Sequence, residues 1–345
     1  MSSQIPAVEP QSSDLDGFIK FHIAATNGVH YKHLSNVQSY PTFELPVKRA
    51  KKDNALMLDI GCGWGRWLVA GSKKNYIPVG LDVQPKFAKA ALGLMKKEKI
   101  KGYVVTADLQ EIPFKDNVFD LVWSFSVIQH VHKKRLLNGL SEINRVLEKD
   151  GYTKLEFPNL DGLRNRRGPV QQEKPYWEDF DHWCVRYYSL DEYKKMFMDA
   201  FKNFDYSIHS ILGIGVLKDD LRYVSFKNKL KVGAVLGMTA VSKLVPGAAK
   251  YADSLYLKAR KSDRNAEFCY ELSEFFYNHY QKPYDSLNIV PLLKCPISGK
   301  NVKVSPDRLA IISEGGYAYP IEEGIPIMLR SRATVISEQV VEAVS

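Results

Sequence analysis

The sequence predicts an α/β protein in which a doubly wound parallel sheet is followed by a small β-rich unit. Two observations support this fold class. Short apolar runs alternate with helical patterns between residues 55 and 160, and residues 289–332 have the pattern of a separate small β unit. Ligands of a doubly wound sheet bind at the carboxyl ends of its strands, so we expect the functional residues there.

The predicted strands and helices alternate regularly along the first part of the chain. Strands are predicted at 55–61, 77–83, 101–108, 119–127 and 151–159, and helices at 65–74, 86–99 and 133–151. The last of these helices should end at Gly151, because glycine is favoured just after a helix.

A polar, loop-rich insertion is predicted from about residue 160 to residue 188. Ser189 then predicts the start of a helix, because Glu192 follows it at the spacing of a capping box. Two more strands are predicted at 204–216 and 251–260. The basic and apolar segment 226–250 lies between them and has two interpretations. It is either a helix that lies on a membrane surface or a core-packing helix, and we favour the second.

Composition limits the classes of protein that the chain can belong to. It has 345 residues, 45% of them hydrophobic and 25% charged, which is typical of one large globular domain or two. The net charge of +9 is compatible with a solvated basic surface, an RNA partner or an anionic membrane surface. Four cysteines without metal-pair spacing, no apolar signal sequence and no apolar run of 18 residues predict a cytoplasmic protein without a transmembrane span.

The most informative stretch is LDIGCGWGRW, residues 58–67. Gly61, Gly63 and Gly65 allow a tight turn with no side chains in the way, so we expect backbone N–H groups to face a phosphate or a carboxylate. Arg66 stands where the dinucleotide pattern G-x-G-x-x-G would need its third glycine, so that pattern is not met. Asp59 either organises the loop or contacts the ligand directly.

LDIGCGWGRW resembles motif I of the class I S-adenosylmethionine-dependent methyltransferases, and most closely their type 11 group. The resemblance covers roughly residues 50–262. It implies a seven-stranded Rossmann-like sheet, S-adenosylmethionine as the cofactor, and a glycine loop beneath the methionine part of that cofactor. The type 11 group acts on quinones, sugars, lipids and tRNA, so the resemblance does not identify the acceptor.

The later motifs follow in the order that this family would require. Asp82 ends the second strand about 20 residues after the first glycine, where a carboxylate accepts hydrogen bonds from both ribose hydroxyls. Asp108 ends the third strand near the adenine, and FDLVWSFSVIQHV resembles the fourth strand and the loop at the methyl donor. The resemblance implies these cofactor-binding residues: Asp59, Gly61, Cys62, Gly63, Gly65, Asp82, Val83, Asp108, Leu109, Ser124 and Gln129.

Two histidines are candidates for catalysis. His130 follows the fourth strand, and we hypothesise that it is the base that deprotonates an oxygen acceptor; the alternative is a polar residue at the start of a helix. His182 lies in the insertion, where it clusters with Asp181, Arg186 and Tyr187. That cluster either lines an acceptor pocket or belongs to a loop that covers the sheet edge.

The C-terminal unit carries a second resemblance. YPIEEGIPIML, residues 319–329, resembles the zinc-ribbon-like activators of RNA and protein methyltransferases, and still more closely their short bacterial relatives. A metal-binding version would carry Cys-x-x-Cys pairs, but Cys295 is followed by Ser298 at the second ligand position. A zinc site needs about four ligands, so we predict no bound zinc and no other metal.

These observations predict an enzyme that methylates a hydroxyl on a sugar, a glycan precursor or a lipid-like metabolite, with peripheral membrane contact as an option. The alternatives are a tRNA-modifying methyltransferase with its activator fused in cis, and a cofactor-binding scaffold without turnover. The predicted organisation is a flexible tail at 1–16, a methyltransferase domain at 17–262 with the insertion at 160–188, a helical connector at 263–288, the small β unit at 289–332 and a tail at 333–345.

Overall fold

A computed structural model describes residues 14–26, 41–131, 133–167, 186–261 and 285–342. The described helices are α1 (Leu15–Thr26), α2 (Arg66–Ser72), α3 (Pro85–Lys97), α4 (Lys133–Val146), α5 (Leu190–Phe201), α6 (Asp220–Tyr223), α7 (Phe226–Ser242) and α8 (Glu338–Glu342). None of these helices is both long enough and apolar enough to cross a membrane.

Twelve strands are found in the described part of the chain. Seven belong to the larger sheet: β1 (Leu56–Ile60), β2 (Ile77–Asp82), β3 (Tyr103–Thr106), β4 (Phe119–Phe125), β5 (Leu147–Pro158), β6 (Phe204–Ser210) and β7 (Ser254–Arg260). Five belong to the smaller sheet: β8 (Val302–Val304), β9 (Ala310–Ser313), β10 (Tyr317–Glu322), β11 (Ile325–Pro326) and β12 (Thr334–Val335).

The larger sheet confirms the predicted α/β fold class. Its strand order is β3-β2-β1-β4-β5-β7-β6. Strands β1, β2 and β3 pair in parallel, whereas β6 and β7 pair antiparallel. Every residue of β1, β2 and β3 is buried, as expected of parallel strands covered on both faces. The order reverses after β1, the strand that precedes the glycine loop, and such a reversal is where doubly wound sheets bind ligands.

The smaller sheet confirms the predicted β-rich C-terminal unit. Strands β11, β10, β9 and β8 lie side by side in that order, and β12 pairs with β10. The pairs β8–β9, β9–β10, β10–β11 and β10–β12 are all antiparallel. Strand β12 and helix α8 lie in residues that the sequence assigned to a tail.

The chain divides into two compact units. Residues 43–122, 145–152 and 263–345 form one of them, called here the glycine-loop unit. Residues 1–42, 123–144 and 153–262 form the other, called here the α7 unit. The glycine loop and the C-terminal sheet therefore belong to the same unit, while the segment around His130 belongs to the α7 unit.

Within the glycine-loop unit, C-terminal residues pair directly with strand β3. Thr106, the last residue of β3, forms a parallel bridge with Ile327, and the N–H of Met328 donates to the Thr106 carbonyl at 2.7 Å. Phe114 forms a second, antiparallel bridge with Leu293. Ile327, Met328 and Leu293 are all buried. The C-terminal residues thus supply both hydrogen bonds and apolar contacts along the edge formed by β3.

The structure corrects the predicted end of helix α4. That helix ends at Val146 rather than Gly151, and β5 begins at Leu147. The N–H groups of Asn117 and Val118 donate to the carbonyls of Arg145 and Val146 at 3.1 and 2.9 Å. These long-range bonds satisfy carbonyls at the helix end, so the chain continues as a strand without needing the glycine.

The prediction that residues 226–250 form a core-packing helix was half right. The segment does form a helix, α7, between β6 and β7. However, only Val232 and Thr239 of its 17 residues are buried.

The capping box predicted for α5 is confirmed: the Ser189 hydroxyl accepts from the Glu192 N–H, and the Glu192 carboxylate accepts from the Ser189 N–H.

Candidate functional site

The glycine loop between β1 and α2 adopts the turn that its three glycines require. Gly61, Gly63 and Gly65 have φ values of 68°, 52° and 94°, in the left-handed region that disfavours other residues. A Cβ on Gly65 would come within 3.1 Å of the Ala91 backbone in helix α3. A Cβ on Gly63 would meet nothing within 4 Å, so the surface at Gly63 is open to a ligand.

The sequence predicted that the backbone N–H groups of this loop face a ligand, but in the structure four of them donate to other groups of the protein. Those of Gly61 and Cys62 both donate to the Leu81 carbonyl, at 2.7 and 3.1 Å. The N–H of Gly63 donates to the Asp82 carboxylate and that of Gly65 to the Cys62 carbonyl. The loop is thus tied to the end of β2, and it offers a ligand open space rather than a row of free donors.

Asp82 is the last residue of β2 and is buried. Its two carboxylate oxygens accept from the N–H groups of Gly63 and Gln84, each at 3.0 Å. Burial raises the pKa of Asp82 to about 6, against the lowering effect of these backbone hydrogen bonds. A carboxylate has about four lone-pair sites, so Asp82 retains capacity for hydroxyl donors of a ligand. Val83, which follows it, is exposed.

Asp59 lies in strand β1, in the interior of the glycine-loop unit. Its side chain is 0% exposed, and neither carboxylate oxygen has a hydrogen-bond partner among the described residues. Burial raises the pKa of Asp59 well above its usual range; the positive charge of Arg66 opposes this rise and the negative charge of Asp82 adds to it. Buried polar groups are normally paired, so an orphan carboxylate at this position fits a ligand that brings a donor or a positive charge.

Cys62, Trp64 and Trp67 are all buried, so their side chains pack in the interior of the glycine-loop unit. Burial, together with the negative charges of Asp82 and Asp59, raises the pKa of the Cys62 thiol well above its usual range. The thiol therefore stays protonated and is a poor nucleophile. The guanidinium of Arg66 lies 5.2 Å from the ring centre of Trp67 and 5.6 Å from that of Phe43, which holds this arginine against the protein.

The predicted adenine loop follows β3, and an arginine from the C-terminal unit holds it. Asp108 caps the short helix Leu109–Glu111 by accepting from the Gln110 N–H at 2.9 Å, and Leu109 is buried. Arg330 donates through Nε to both carboxylate oxygens of Glu111, at 2.8 and 3.1 Å, and its Nη2 lies 2.7 Å from Oε1. A forked arginine–carboxylate pair fixes orientation as well as distance, so Arg330 restrains this loop.

Replacing Arg330 with alanine is expected to weaken S-adenosylmethionine binding several-fold, because the helix that follows Asp108 loses its forked restraint. The effect should be modest, since both partners are partly exposed to solvent. Calorimetric titration with the cofactor measures it. Arg332→Ala is the matched control, because Arg332 pairs with Glu322, the last residue of β10. Equal cofactor affinity in the wild type and in Arg330→Ala would show that the pair has no part in binding.

The remaining predicted cofactor residues, Ser124 and Gln129, lie in the α7 unit with His130. Ser124 and Gln129 are buried, and His130 is half-buried at the end of the short helix Ile128–His130. The Arg186 N–H donates to the Gln129 carbonyl at 2.8 Å, and its Nη1 donates to the His130 carbonyl at 3.1 Å. Arg186 therefore fixes the backbone of this segment. His182 and Asp181 lie outside the described residues.

A buried carboxylate near this segment was missed by sequence reasoning. Glu156 on β5 is fully buried, and the hydroxyls of Ser126 and Ser254 donate to its two oxygens, the first at 2.7 Å. Ser126 has a positive φ of 58°, which is uncommon for a residue other than glycine. No local pattern predicts this group, because its members are far apart in the sequence.

Polar groups of Ser298, Ser313 and Tyr319 lie around Cys295 in the C-terminal unit. The Ser298 N–H donates to the Cys295 sulfur at 3.3 Å, and the Tyr319 hydroxyl lies 3.1 Å from the same sulfur. The hydroxyls of Ser298 and Ser313 lie 3.2 Å apart. Within the described residues, no group of three or more His, Cys, Asp or Glu is arranged to hold a metal ion.

We predict that the purified protein contains far less than one zinc per chain, because hydrogen bonds join the groups around Cys295. Elemental analysis by mass spectrometry measures the metal content. A chelator should leave the melting temperature unchanged. Stoichiometric zinc after extensive dialysis would contradict this prediction.

Comparison with known proteins agrees with the site. Residues 58–154 match the family model described as a methyltransferase domain. Norajmaline N-methyltransferase of Rauvolfia serpentina is 35% identical over 95 residues, which are 27% of this chain and 31% of that protein. The structure of Haemonchus contortus phosphoethanolamine N-methyltransferase 2 in complex with S-adenosyl-L-methionine shows 21% identity and a TM-score of 0.43, covering 72% of this chain and 57% of that one.

A second kind of relative matches a shorter stretch. A UPF0434 protein of Pseudomonas entomophila is 42% identical over 52 residues, which are 15% of this chain and 85% of that protein, so this stretch of the chain belongs to the UPF0434 family. The chain spans less than half the length of two uncharacterized relatives from Methanocaldococcus jannaschii, 46% of one and 38% of the other.

The sheet order and the glycine loop agree with the matched model, so residues 58–154 are assigned to a methyltransferase domain. The cofactor of this domain is S-adenosylmethionine. Its chemistry suits the residues that are present: it brings an ammonium group and two ribose hydroxyls, and the site offers the orphan carboxylate of Asp59, the buried carboxylate of Asp82 and the open surface at Gly63.

Proposed function

We propose that the chain is an enzyme that methylates a hydroxyl group on a sugar, a glycan precursor or a lipid-like metabolite. The observation that carries the methyl-transfer part is the pair of buried carboxylates, Asp59 and Asp82, beside a loop that is open at Gly63. Asp59, Asp82, Asp108 and the three loop glycines are proposed to hold the cofactor. Residues 286–335 are proposed to support the methyltransferase sheet through their pairing with β3.

When bound, S-adenosylmethionine supplies a methyl group on a sulfonium, which is already a good leaving group. The work left to the protein is to position the reactants and to exclude water. An oxygen acceptor adds one requirement, because its hydroxyl proton has to be removed. We propose that His130 removes it. Its backbone is restrained by Arg186, and the Tyr188 hydroxyl donates to the carbonyl of the next residue, Val131, at 2.7 Å.

Replacing His130 with alanine should lower kcat by about 10² or more, the usual contribution of a general base. Cofactor affinity should stay within a factor of two or so of wild type, since the proposed role concerns the acceptor. His130→Gln separates the two interpretations: it keeps a polar side chain and the helix start but lacks a base of suitable pKa. Unchanged turnover in both variants would refute the hypothesis that His130 is the general base.

The acceptor is found with methyl-labelled S-adenosylmethionine in a host extract. The extract is separated into RNA, lipid, polysaccharide and small-molecule fractions after incubation with the protein. Label in the lipid or polysaccharide fraction, on an oxygen, supports the proposal. Label on a nitrogen of a small molecule would contradict it and would match the kind of transfer named for the Rauvolfia relative.

An RNA acceptor is the second candidate, and the net charge of +9 is the observation that favours it. Its supporting outcomes are ribonuclease-sensitive label in the RNA fraction and an affinity for tRNA that falls steeply with salt. Binding of S-adenosylmethionine without transfer to any fraction would instead favour a scaffold without turnover.

A further inference from the structure

Exposed large hydrophobic side chains are concentrated on helix α7 and the turn after it. The described part of the chain has fifteen exposed large hydrophobic residues, and seven of them fall between Phe226 and Tyr251. Phe226, Leu230, Val241 and Leu244 are 80, 68, 63 and 83% exposed. Scattered apolar residues are normal on a protein surface, but a contiguous group marks a binding surface.

Three of the four exposed large apolar residues of α7, namely Phe226, Leu230 and Val241, lie on one stripe. Phe226, Leu230, Gly237 and Val241 recur at intervals of three to four residues or multiples of them, so they share a face of the helix. Gly237 has open space where a Cβ would be, which agrees with its position on the outer face. The stripe continues past the helix end to Leu244 and Val245, which are also exposed.

The opposite face of α7 attaches the helix to the α7 unit. Val232 and Thr239 are buried there, and the Thr239 hydroxyl accepts from the Ile211 N–H at 3.2 Å. The helix is therefore anchored along one side, and its apolar stripe faces outward. Substitutions in the stripe should consequently leave the fold intact.

The charged residues of the segment that carries this stripe are all of one sign. Residues 225–251 contain five lysines and no acidic residue. On the helix, Lys227 and Lys231 lie on one side of the stripe and Lys229 on the other. Lys243, at the helix end, is close enough to Lys154 to contribute to its lowered pKa of about 8, after burial and Lys258. Within residues 225–251, positive charge thus lies on both sides of the apolar stripe.

We propose that helix α7 and the turn after it are a docking surface for an anionic lipid bilayer. An apolar stripe flanked by lysines matches the boundary between acyl chains and negatively charged headgroups, and lysine stems extend from the apolar layer to the headgroups. A second copy of the chain fits less well, because pairing two such stripes brings like charges together without an acidic partner in this segment. The inference does not depend on the proposed methyl transfer, because its test measures binding to lipid.

The test is flotation of the full chain with vesicles. Phosphatidylcholine vesicles that contain phosphatidylglycerol should carry the protein to the top of a gradient at low salt, and phosphatidylcholine vesicles alone should not. High salt should reduce the bound fraction, because it screens the lysines. A Phe226→Trp variant should show a blue shift of its fluorescence with the anionic vesicles, as the ring enters an apolar layer.

Two variants and two controls locate the surface. The double variant Leu230→Ser/Val241→Ser and the triple variant Lys227→Glu/Lys229→Glu/Lys231→Glu should each lose at least tenfold in lipid affinity while melting at the wild-type temperature. Leu309→Ser and Lys300→Glu change an exposed leucine and an exposed lysine of the C-terminal unit and should bind like wild type.

Three results would overturn the proposal. They are no flotation with anionic vesicles at low salt, equal flotation of the wild type and the α7 variants, and a dimer in solution that Leu230→Ser/Val241→Ser dissociates. The third result would assign the stripe to a contact between copies of the chain.

Discussion

Replacing Asp82 with alanine is expected to weaken S-adenosylmethionine binding by about 10² or more. The variant loses the proposed acceptor of two ribose hydroxyls, and a hydrogen bond to a charged group contributes about 1.5–3 kcal/mol. It also loses the oxygen that accepts from the Gly63 N–H at 3.0 Å, so the glycine loop is less restrained. Calorimetric titration measures the affinity, and a melting curve confirms that the variant folds.

The matched control for this experiment is Asp116→Ala. Asp116 lies in the same unit but on the surface, where it pairs with Arg145 and Lys294. Its removal should leave cofactor affinity unchanged. Wild-type affinity in Asp82→Ala would refute the assignment of β2's last residue to the ribose.

The same carboxylate predicts a pH dependence with a defined sign. Burial raises the pKa of Asp82 to about 6, and hydroxyl donors of a ligand favour its ionised form. Cofactor affinity should therefore be full above pH 6 and fall as pH drops through that value. Asp82→Asn should abolish this step while keeping an oxygen acceptor. A step of the same size in the asparagine variant would place it on another group.

Stability of the cofactor-free protein should change with pH in the opposite direction. The pKa of Asp82 is raised above its ordinary value of 3.8, so the folded chain binds this proton more tightly than the unfolded chain. The stabilisation is complete below pH 3.8 and is lost as pH rises through about 6. In Asp82→Asn, which has no carboxyl proton at this position, this pH-dependent change in melting temperature should be absent.

Truncation after residue 284 is expected to destabilise the methyltransferase sheet and to cause aggregation. It removes Met328, whose N–H donates to Thr106, and the buried Ile327 and Leu293. It also removes the partners of the loop at residues 113–115: the Lys294 N–H donates to the Pro113 carbonyl at 2.9 Å, and the Leu292 carbonyl accepts from Lys115 at 2.8 Å. Strand β3 would become an exposed, apolar sheet edge, which is a template for aggregation.

Thermal melting and light scattering at several protein concentrations measure this effect. Several buried apolar side chains are lost at once, each contributing about 1.5–3 kcal/mol, so the truncated chain should melt at a much lower temperature or remain unfolded. Truncation after residue 337, which removes only α8 and the residues after it, is the control and should have a small effect. A truncated chain that melts like wild type would show that β3 needs no cover.

The fold class and the cofactor loop were predictable because their signals are local. A left-handed turn requires glycine at residues 61, 63 and 65, and continuous burial of β1 to β3 requires unbroken apolar runs. The position of Asp82 follows from the length of one strand–helix–strand unit. The capping box at Ser189 is likewise contained within four residues. Each of these features can be deduced without knowing what lies elsewhere in the chain.

The features that escaped prediction depend on partners distant in sequence. The composition of helix α7 suits either a buried helix or a surface helix. The hydrogen bond between Thr239 and the Ile211 N–H decides which side of the helix is anchored. The end of α4 is set by Asn117 and Val118, and Glu156 is defined by hydroxyls from two other segments. The pairing of Met328 with Thr106 joins residues more than 200 positions apart. The chemistry of the individual side chains does not specify which residues that are distant in sequence will form contacts.

The C-terminal residues that cover strand β3 belong to the same polypeptide as β3, so their association with this strand is unimolecular. Two separate chains joined by these contacts would dissociate on dilution, whereas a tethered segment experiences an effective concentration of about millimolar. Activity per molecule should therefore stay constant down to nanomolar protein. The supporting residues are also present at one copy for each methyltransferase sheet, because both are parts of one chain.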